Sequence, residues 1–154
     1  QGDQPFLNIS IVDKMISKLQ KNNSDSDIIT PLYELKPENI HNPNVVKTLV
    51  NRDGLVIYFS RSAIPHVRDL PKREWHLKNK YWGHVGIYGF RSDVLNNWPK
   101  MKDSNLENLE KLEQLRFIEE GYKIDTFLTT GDSLSIDTPA QLNFAREIAI
   151  KENI

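Results

Sequence analysis

The sequence predicts an α/β fold, organised as a single domain over residues 1–154. Three observations carry that expectation. Segments that read as strands alternate with segments that read as helices. The stretch "NVVKTLVNRDGLVIYFSR" sets two β-branched runs on either side of Asp53-Gly54, the pattern of a hairpin. Helix punctuation recurs at Ser10, Ser104, Gly121 and Thr138-Pro139.

Taken in order, Ser10 and Asp13 read as a capping box. Val12, Met15, Ile16 and Leu19 follow at helical spacing, predicting a helix from Ile11 to Gln20. "NNSDSD" closes it as a turn. "IITPLYEL" is extended, and Pro31 places it at a sheet edge if it is a strand. After the hairpin, "AIPHVRDLPKREWHLKNKYW" has two prolines, many charges and no clean period, so it reads as a long loop. "GHVGIYGFR" returns to a strand and "LNNWPKMKDS" is a connection. Ser104 and Glu107 form a second capping box, opening one helix that runs to Glu120 before Gly121 stops it. "KIDTFLTT" is a strand, "GDSLSID" a loop, and Pro139 takes the first position of the last helix.

Composition narrows the functional classes. With 154 residues, 38% hydrophobic and 27% charged, the chain has the balance of a globular protein with a real core. A formal net charge of -1 supplies no global positive field, which argues against a general binder of nucleic acid or membrane surfaces. A small anionic ligand needs only two or three placed cations and stays open. Zero cysteines exclude disulfides, thiolate metal sites and cysteine nucleophiles, and fit a cytoplasmic location. No apolar run has the length of a membrane helix, and no signal-peptide pattern is visible.

Several residues sit where core packing alone would not put them. In the predicted helix 104–120, Leu106, Leu109, Leu112 and Phe117 share one face, and Glu113 falls among them with Gln114 at the edge. A carboxylate there needs a charge partner or a ligand. Period 2 puts His84, Gly86 and Tyr88 on one face of their strand and Val85 and Ile87 on the other. An imidazole, a gap and a phenol suit a polyhydroxylated ligand, or else a partly exposed polar sheet face. Arg61 and Arg68 bracket "SAIPHV" after the hairpin and are either a bidentate clamp for a carboxylate or solvated loop arginines. Asp3 follows Gly2 at what reads as a strand exit, and Asp137 precedes a helix start. Carboxylates so placed recur as Mg²⁺ ligands at phosphoryl-transfer sites, while a turn or a helix cap needs them equally.

Together these segments resemble the 3-deoxy-manno-octulosonate cytidylyltransferases, the CMP-Kdo synthetases. The stretches that carry the resemblance are "QGDQP", "NPNVVK", "YFSRSAIP", "HVGIYGFR", "LEKLEQLRFIEEGYKI" and "SIDTPAQL", in the family's order and over nearly the whole chain. The resemblance implies a nucleotide-diphospho-sugar-transferase-like, Rossmann-like mixed sheet flanked by helices, with a hairpin arm that supports a homodimer. It implies transfer of CMP from CTP to the 2-hydroxyl of Kdo, releasing pyrophosphate, for lipopolysaccharide synthesis. Asp3 and Asp137 would hold Mg²⁺, and Gln1, Arg61, Arg68, His84, Tyr88, Glu113 and Gln114 would surround Kdo.

Two departures stand out: Gln4 where the family favours Glu, and His66-Val67 where it usually carries a Trp-Asp pair. The chain looks like the C-terminal three-fifths of a typical member, without the nucleotide-binding segment. On that reading the 154 residues alone are expected to bind CTP weakly and turn over little or not at all. Two alternatives remain: a cytidylyltransferase for another ulosonic acid, amino-substituted or sialic-acid-like, and a non-catalytic sugar-binding or dimerisation module.

Overall fold

A computed structural model describes residues 8–20, 26–130, 136 and 139–152. Helices α1 (Ile9–Gln20), α2 (Ser92–Asn97), α3 (Asn105–Glu110), α4 (Gln114–Glu119) and α5 (Pro139–Glu152) accompany strands β1 (Ile28–Glu34), β2 (Lys47–Val50), β3 (Val56–Ser60), β4 (Trp82–His84), β5 (Gly89–Phe90) and β6 (Ile124–Leu128). The strands form one mixed sheet centred on β1. One edge of β1 pairs antiparallel with β5 and then β4, and the other pairs parallel with β6. Outward from β4 lie β2 and then the edge strand β3.

Strand β1 corrects the expectation for Pro31, which lies in the most enclosed strand of the sheet. Residues Ile28 to Leu32 are all buried, the near-continuous apolar pattern of a strand covered on both faces. Proline is tolerated because its missing N–H faces the gap between β5 and β4. There its carbonyl accepts from the Val85 N–H at 3.2 Å, and no ladder bond is lost.

The hairpin forms as expected, with a five-residue turn from Asn51 to Leu55. Asn51 Oδ1 accepts from the N–H groups of Asp53 and Leu55, each at 2.9 Å, and Gly54 takes φ +85°, a conformation that favours glycine. The turn is not free. Thr126 Oγ1 donates to the Gly54 carbonyl at 2.7 Å, and Leu55 bridges to Asp125. The sheet therefore curls, and Phe59 of β3 joins Ile28 of β1 and Ile124 of β6 in one core with Val94, Leu112, Leu115 and Phe117.

Helix α1 packs Ile11 and Met15 on Ile29, and the Lys18 ammonium ties its C-terminal end to the Asp125 carboxylate and the Thr126 carbonyl. It starts earlier than the capping-box reading allows. Asn8 is the residue whose side chain caps the first turn, Oδ1 accepting from the Ser10 N–H at 2.9 Å, so Ser10 lies inside the helix.

The predicted helix 104–120 is two helices. Ser104 does cap α3, its Oγ accepting from the Glu107 N–H at 2.9 Å, but the Glu107 carboxylate pairs with Arg116 at 2.6 Å and does not turn back to the cap. Lys111 then adopts φ 55°, ψ 49°, a left-handed residue that ends α3 and turns the chain before α4. The turn rotates Leu112, Leu115 and Phe117 into the core and leaves Leu109 72% exposed, so the single apolar stripe does not exist. Gly121, at φ +83°, stops α4 as expected, with Tyr122 N–H to Phe117 O and Gly121 N–H to Ile118 O forming a Schellman closure.

The long loop after the hairpin is better ordered than its composition suggests. Trp75 sits in a 3-10 turn, Lys72–Leu77, and packs with Leu35, Ile40 and Tyr81 in a second small core. "LNNWPKMKDS" holds part of α2 and a 3-10 turn, Trp98–Lys100. Gly83 lies beneath Tyr33, where a Cβ would come within 2.5 Å of the ring and 2.7 Å of Leu35, so any side chain there would force both to move. The expected turn "NNSDSD" and loop "GDSLSID" lie largely outside the described residues, while α5 does begin at Pro139.

Candidate functional site

The expected strand "GHVGIYGFR" is interrupted, and the interruption builds the site. After β4 ends at His84, the Ile87 N–H bonds back to the Val85 carbonyl at 2.7 Å, a γ-turn that separates β4 from β5. Val85 turns inward at 2% exposure, and Ile87 packs toward Ile11, Met15 and Ile29. His84 and Tyr88 remain together, with ring centroids 5.3 Å apart, and the Phe59 ring lies 4.8 Å from the imidazole.

Burial sets the protonation of both. It pushes the His84 pKa down to about 3, so the imidazole is neutral at ordinary pH. Burial, and then the negative charge of Glu113, hold the Tyr88 phenol well above its usual pKa. Tyr88 is therefore a hydrogen-bond donor, and Glu113 lies close enough to act on it electrostatically. Glu113 immediately precedes α4, just past the Lys111 elbow, and Gln114 opens the helix with 2% exposure. The elbow, and not a continuous helical stripe, brings this carboxylate to the aromatic pair.

Arg61 supports the elbow from the hairpin side. Its guanidinium donates to the carbonyls of Glu110 at 2.7 Å, Pro43 at 3.1 Å and Lys111 at 3.4 Å. The Glu110 carboxylate accepts from Ser60 Oγ at 2.6 Å and from the Arg61 N–H at 2.9 Å. Arg68 is placed differently: its side chain is 89% exposed, and its ion pair is with neighbouring Asp69 at 3.5 Å. His84, Tyr88 and Glu113 thus come together, Gln114 is buried at the start of α4 next to Glu113, Arg61 braces the elbow, and Arg68 stands out in the loop. Gln1, Asp3 and Asp137 lie outside the described residues. A shallow groove lined by Asp13, Ile16, Ser17 and Gln20 on α1 contains none of these groups.

Three supporting residues escape a reading of the sequence. Thr30, fully buried on β1, contacts the His84 ring through Oγ1 at 2.9 Å. Lys47, also fully buried, donates to the carbonyls of Asn42 at 2.7 Å and Val45 at 2.6 Å. Burial pushes its pKa down to about 8 against the opposing pull of Glu110. A lone lysine inside the β-branched run "NVVKTLV" is the available signal for Lys47; Thr30 and Glu110 offer none.

Glu110→Gln leaves one of its two donors facing an amide N–H₂, because both carboxylate oxygens are engaged. The expected cost is about 1–3 kcal/mol, read as a lower urea midpoint at unchanged m-value. A change within about 0.5 kcal/mol would mean that the carboxylate does not brace the hairpin.

The cytidylyltransferase family pattern matches residues 1–124. The chain belongs to the cytidylyltransferase family. Among its relatives, the 3-deoxy-manno-octulosonate cytidylyltransferase of Elusimicrobium minutum is 42% identical over 148 residues, covering 96% of this chain and 59% of the relative. That of Porphyromonas gingivalis is 35% identical over 147 residues, covering 94% and 58%. The solved structure of CMP:2-keto-3-deoxy-manno-octonic acid synthetase complexed with CTP superimposes with a TM-score of 0.88 at 33% identity, over 99% of this chain and 60% of that one. The mixed α/β, nucleotidyltransferase-like architecture is common to both. This cytidylyltransferase chain spans about three-fifths of the length of the curated relatives it matches.

Proposed function

We propose that this chain supplies the sugar-acid half of a 3-deoxy-manno-octulosonate cytidylyltransferase. In that reaction the 2-hydroxyl of Kdo attacks the α-phosphorus of CTP in line, its proton is released, and pyrophosphate leaves as the P–O bond to it breaks. The observation that carries the reading is the meeting of three polar groups of fixed character. Tyr88 is held protonated and donates, Glu113 accepts, and the neutral His84 ring, which lies against apolar Phe59, adds one donor and one acceptor. Such a wall recognises hydroxyls and does not attack them, which suits a reaction needing no protein nucleophile. Gln114, buried and next to Glu113 in sequence, is assigned to the same wall. Arg61 and Arg68 are assigned to the carboxylate of the sugar acid, with Arg61 also bracing the elbow, and Gln1, outside the described residues, to the surround of the sugar. Relatives bearing this enzyme name, at 35–42% identity, support the assignment.

A divalent cation, when bound, would offset charge on the CTP phosphates. Among the described residues no three His, Asp or Glu side chains gather in a metal-holding group. The family resemblance assigns Mg²⁺ to Asp3 and Asp137, which lie outside them, and no step is derived through it. The homodimer is part of the same proposal. It is supported by the edge position of β3 and by Ile57 on it, half exposed. Among the described residues no helix is long and apolar enough to cross a membrane.

Titrating Kdo into the 154-residue chain should shift the amide resonances of residues 84–90 and 113–114. Glu113→Gln should weaken that binding about tenfold or more, the usual effect of losing a charged hydrogen bond. Equal shifts with an uncharged hexose, or none with Kdo, would sink the reading. A panel of eight- and nine-carbon ulosonic acids ranks the substrates, and pyrophosphate release by the full gene product tests the transfer itself.

A further inference from the structure

We propose that Thr30 is a positioning residue that fixes His84 as the tautomer with its proton on Nε2, leaving the Nδ1 lone pair as an acceptor for a substrate hydroxyl. The inference rests on the sugar-acid reading only for the identity of that hydroxyl.

Thr30 Oγ1 is fully buried and lies 2.8 Å from the Ile87 carbonyl, 3.2 Å from the Val85 carbonyl and 2.9 Å from His84 Nε2. A hydroxyl has one proton and two lone pairs. A carbonyl oxygen cannot donate, so a contact of 2.8 Å between two oxygens is favourable only with the hydroxyl proton between them. That proton is thereby committed to Ile87, shared in part with Val85. The remaining partner, Nε2, must then bring its own proton to Oγ1. If Nε2 were unprotonated, it and the hydroxyl would face each other as two acceptors, or the Ile87 carbonyl would face a bare oxygen.

The environment supports a neutral ring. Phe59 and Tyr88 flank the imidazole, and burial holds its pKa at about 3. A neutral imidazole with its proton on Nε2 carries its lone pair on Nδ1. Nδ1 has no hydrogen-bond partner among the described residues, since the Thr30 contact is the one His84 side-chain bond found there. His84 therefore accepts where Tyr88 donates, and the two adjacent rings can tell the two ends of a hydroxyl apart. The same hydroxyl holds both carbonyls of the γ-turn, so one buried Thr couples the ring's tautomer to the break between β4 and β5. Thr30 lies 54 positions from His84, which is why the pairing is invisible locally.

Imidazole ¹⁵N spectra of the 154-residue chain at neutral pH, with His84 assigned by loss of its signals in His84→Asn, test this directly. The wild type is expected to show a protonated Nε2 and an unprotonated Nδ1. Thr30→Ser, which keeps the hydroxyl, should reproduce that pattern. Thr30→Val and Thr30→Ala should lose it, with both tautomers populated. A wild-type proton on Nδ1, a doubly protonated ring, or an unchanged single tautomer in either hydroxyl-free variant would overturn the proposal. The wild-type spectrum decides the first two points even if those variants fold poorly. No sugar is needed, so the tautomer and the sugar-acid reading fail separately. If Kdo moves no resonance while the tautomer is as expected, the substrate assignment falls and the Thr30 role stands. If Kdo binds while the ring carries its proton on Nδ1, the Thr30 role falls and the substrate assignment stands.

Discussion

Phe117→Ala is expected to lower the unfolding free energy by about 3–5 kcal/mol, the range for emptying a buried aromatic site. Phe117 is 1% exposed and lies at the centre of a ring cluster: Trp98 at 4.9 Å and Tyr122 at 6.1 Å meet it edge-on, and Phe90 lies at 5.3 Å. Each such pair adds about 0.5–1.5 kcal/mol beyond area burial. Trp98 is held in a 3-10 turn and Tyr122 by its backbone bond to Phe117, so the void should collapse only in part. Leu109→Ala is the control. On one continuous helix from Ser104 to Glu120 both residues would face the core, and both would be costly. With the break at Lys111, Leu109 is 72% exposed and its removal should cost no more than about 0.5 kcal/mol. Urea unfolding of the two variants at unchanged m-value separates the cases. Comparable losses would mean that the chain does not turn at Lys111.

That contrast also marks how far the sequence can be read. Elements specified by adjacent residues are legible: the hairpin around Asp53-Gly54, the stop at Gly121 and the start of α5 at Pro139 each follow from local backbone chemistry. The elbow at Lys111 is not, because "LEKLEQL" favours an unbroken helix and no glycine marks the left-handed residue. Burial of Leu112, Leu115 and Phe117 against Phe59 and Ile124 outweighs that preference. Pro31 misleads for a related reason. The rule that sends proline to an edge considers one strand, whereas the gap that tolerates it belongs to two partner strands more than 50 positions away.

The site divides along the same line. Period 2 pairs His84 with Tyr88 correctly, and the pairing survives the γ-turn between them. Glu113 stands out in the sequence for the wrong reason, as a charge on a helical stripe, when it lies just past an elbow. The supports, Thr30 on β1 and Glu110 on α3, act across 50 or so positions through hydrogen bonds that no spacing encodes. Family resemblance names the wall. Burial of the two rings and the hydrogen bonds of Thr30 are what the proposed donor and acceptor roles rest on, and neither is visible in the sequence.

Those states give the second large effect, a loss of stability in acid that belongs to His84. Its pKa is 6.5 as a free group and about 3 in the folded chain. Between those values the unfolded chain binds a proton that the folded chain refuses, so stability falls as pH falls through the window and is intact above it. The imidazole is partly accessible, which reduces the effect of burial. Of order 2–3 kcal/mol should be lost between pH 7 and pH 4, a large part of the roughly 5–15 kcal/mol that holds a typical domain. Carboxylates titrate in the same range, so the wild type alone cannot isolate the histidine. His84→Asn does. The variant should be less stable at pH 7, having lost the contact with Phe59, yet it has no proton to take up. Its stability curve should therefore fall less steeply, and the two curves should converge toward pH 4. Parallel curves across that interval would show that the folded chain takes up the proton as readily as the unfolded one, so that His84 would become a cation, donating from both nitrogens, as soon as the pH falls below about 6.5.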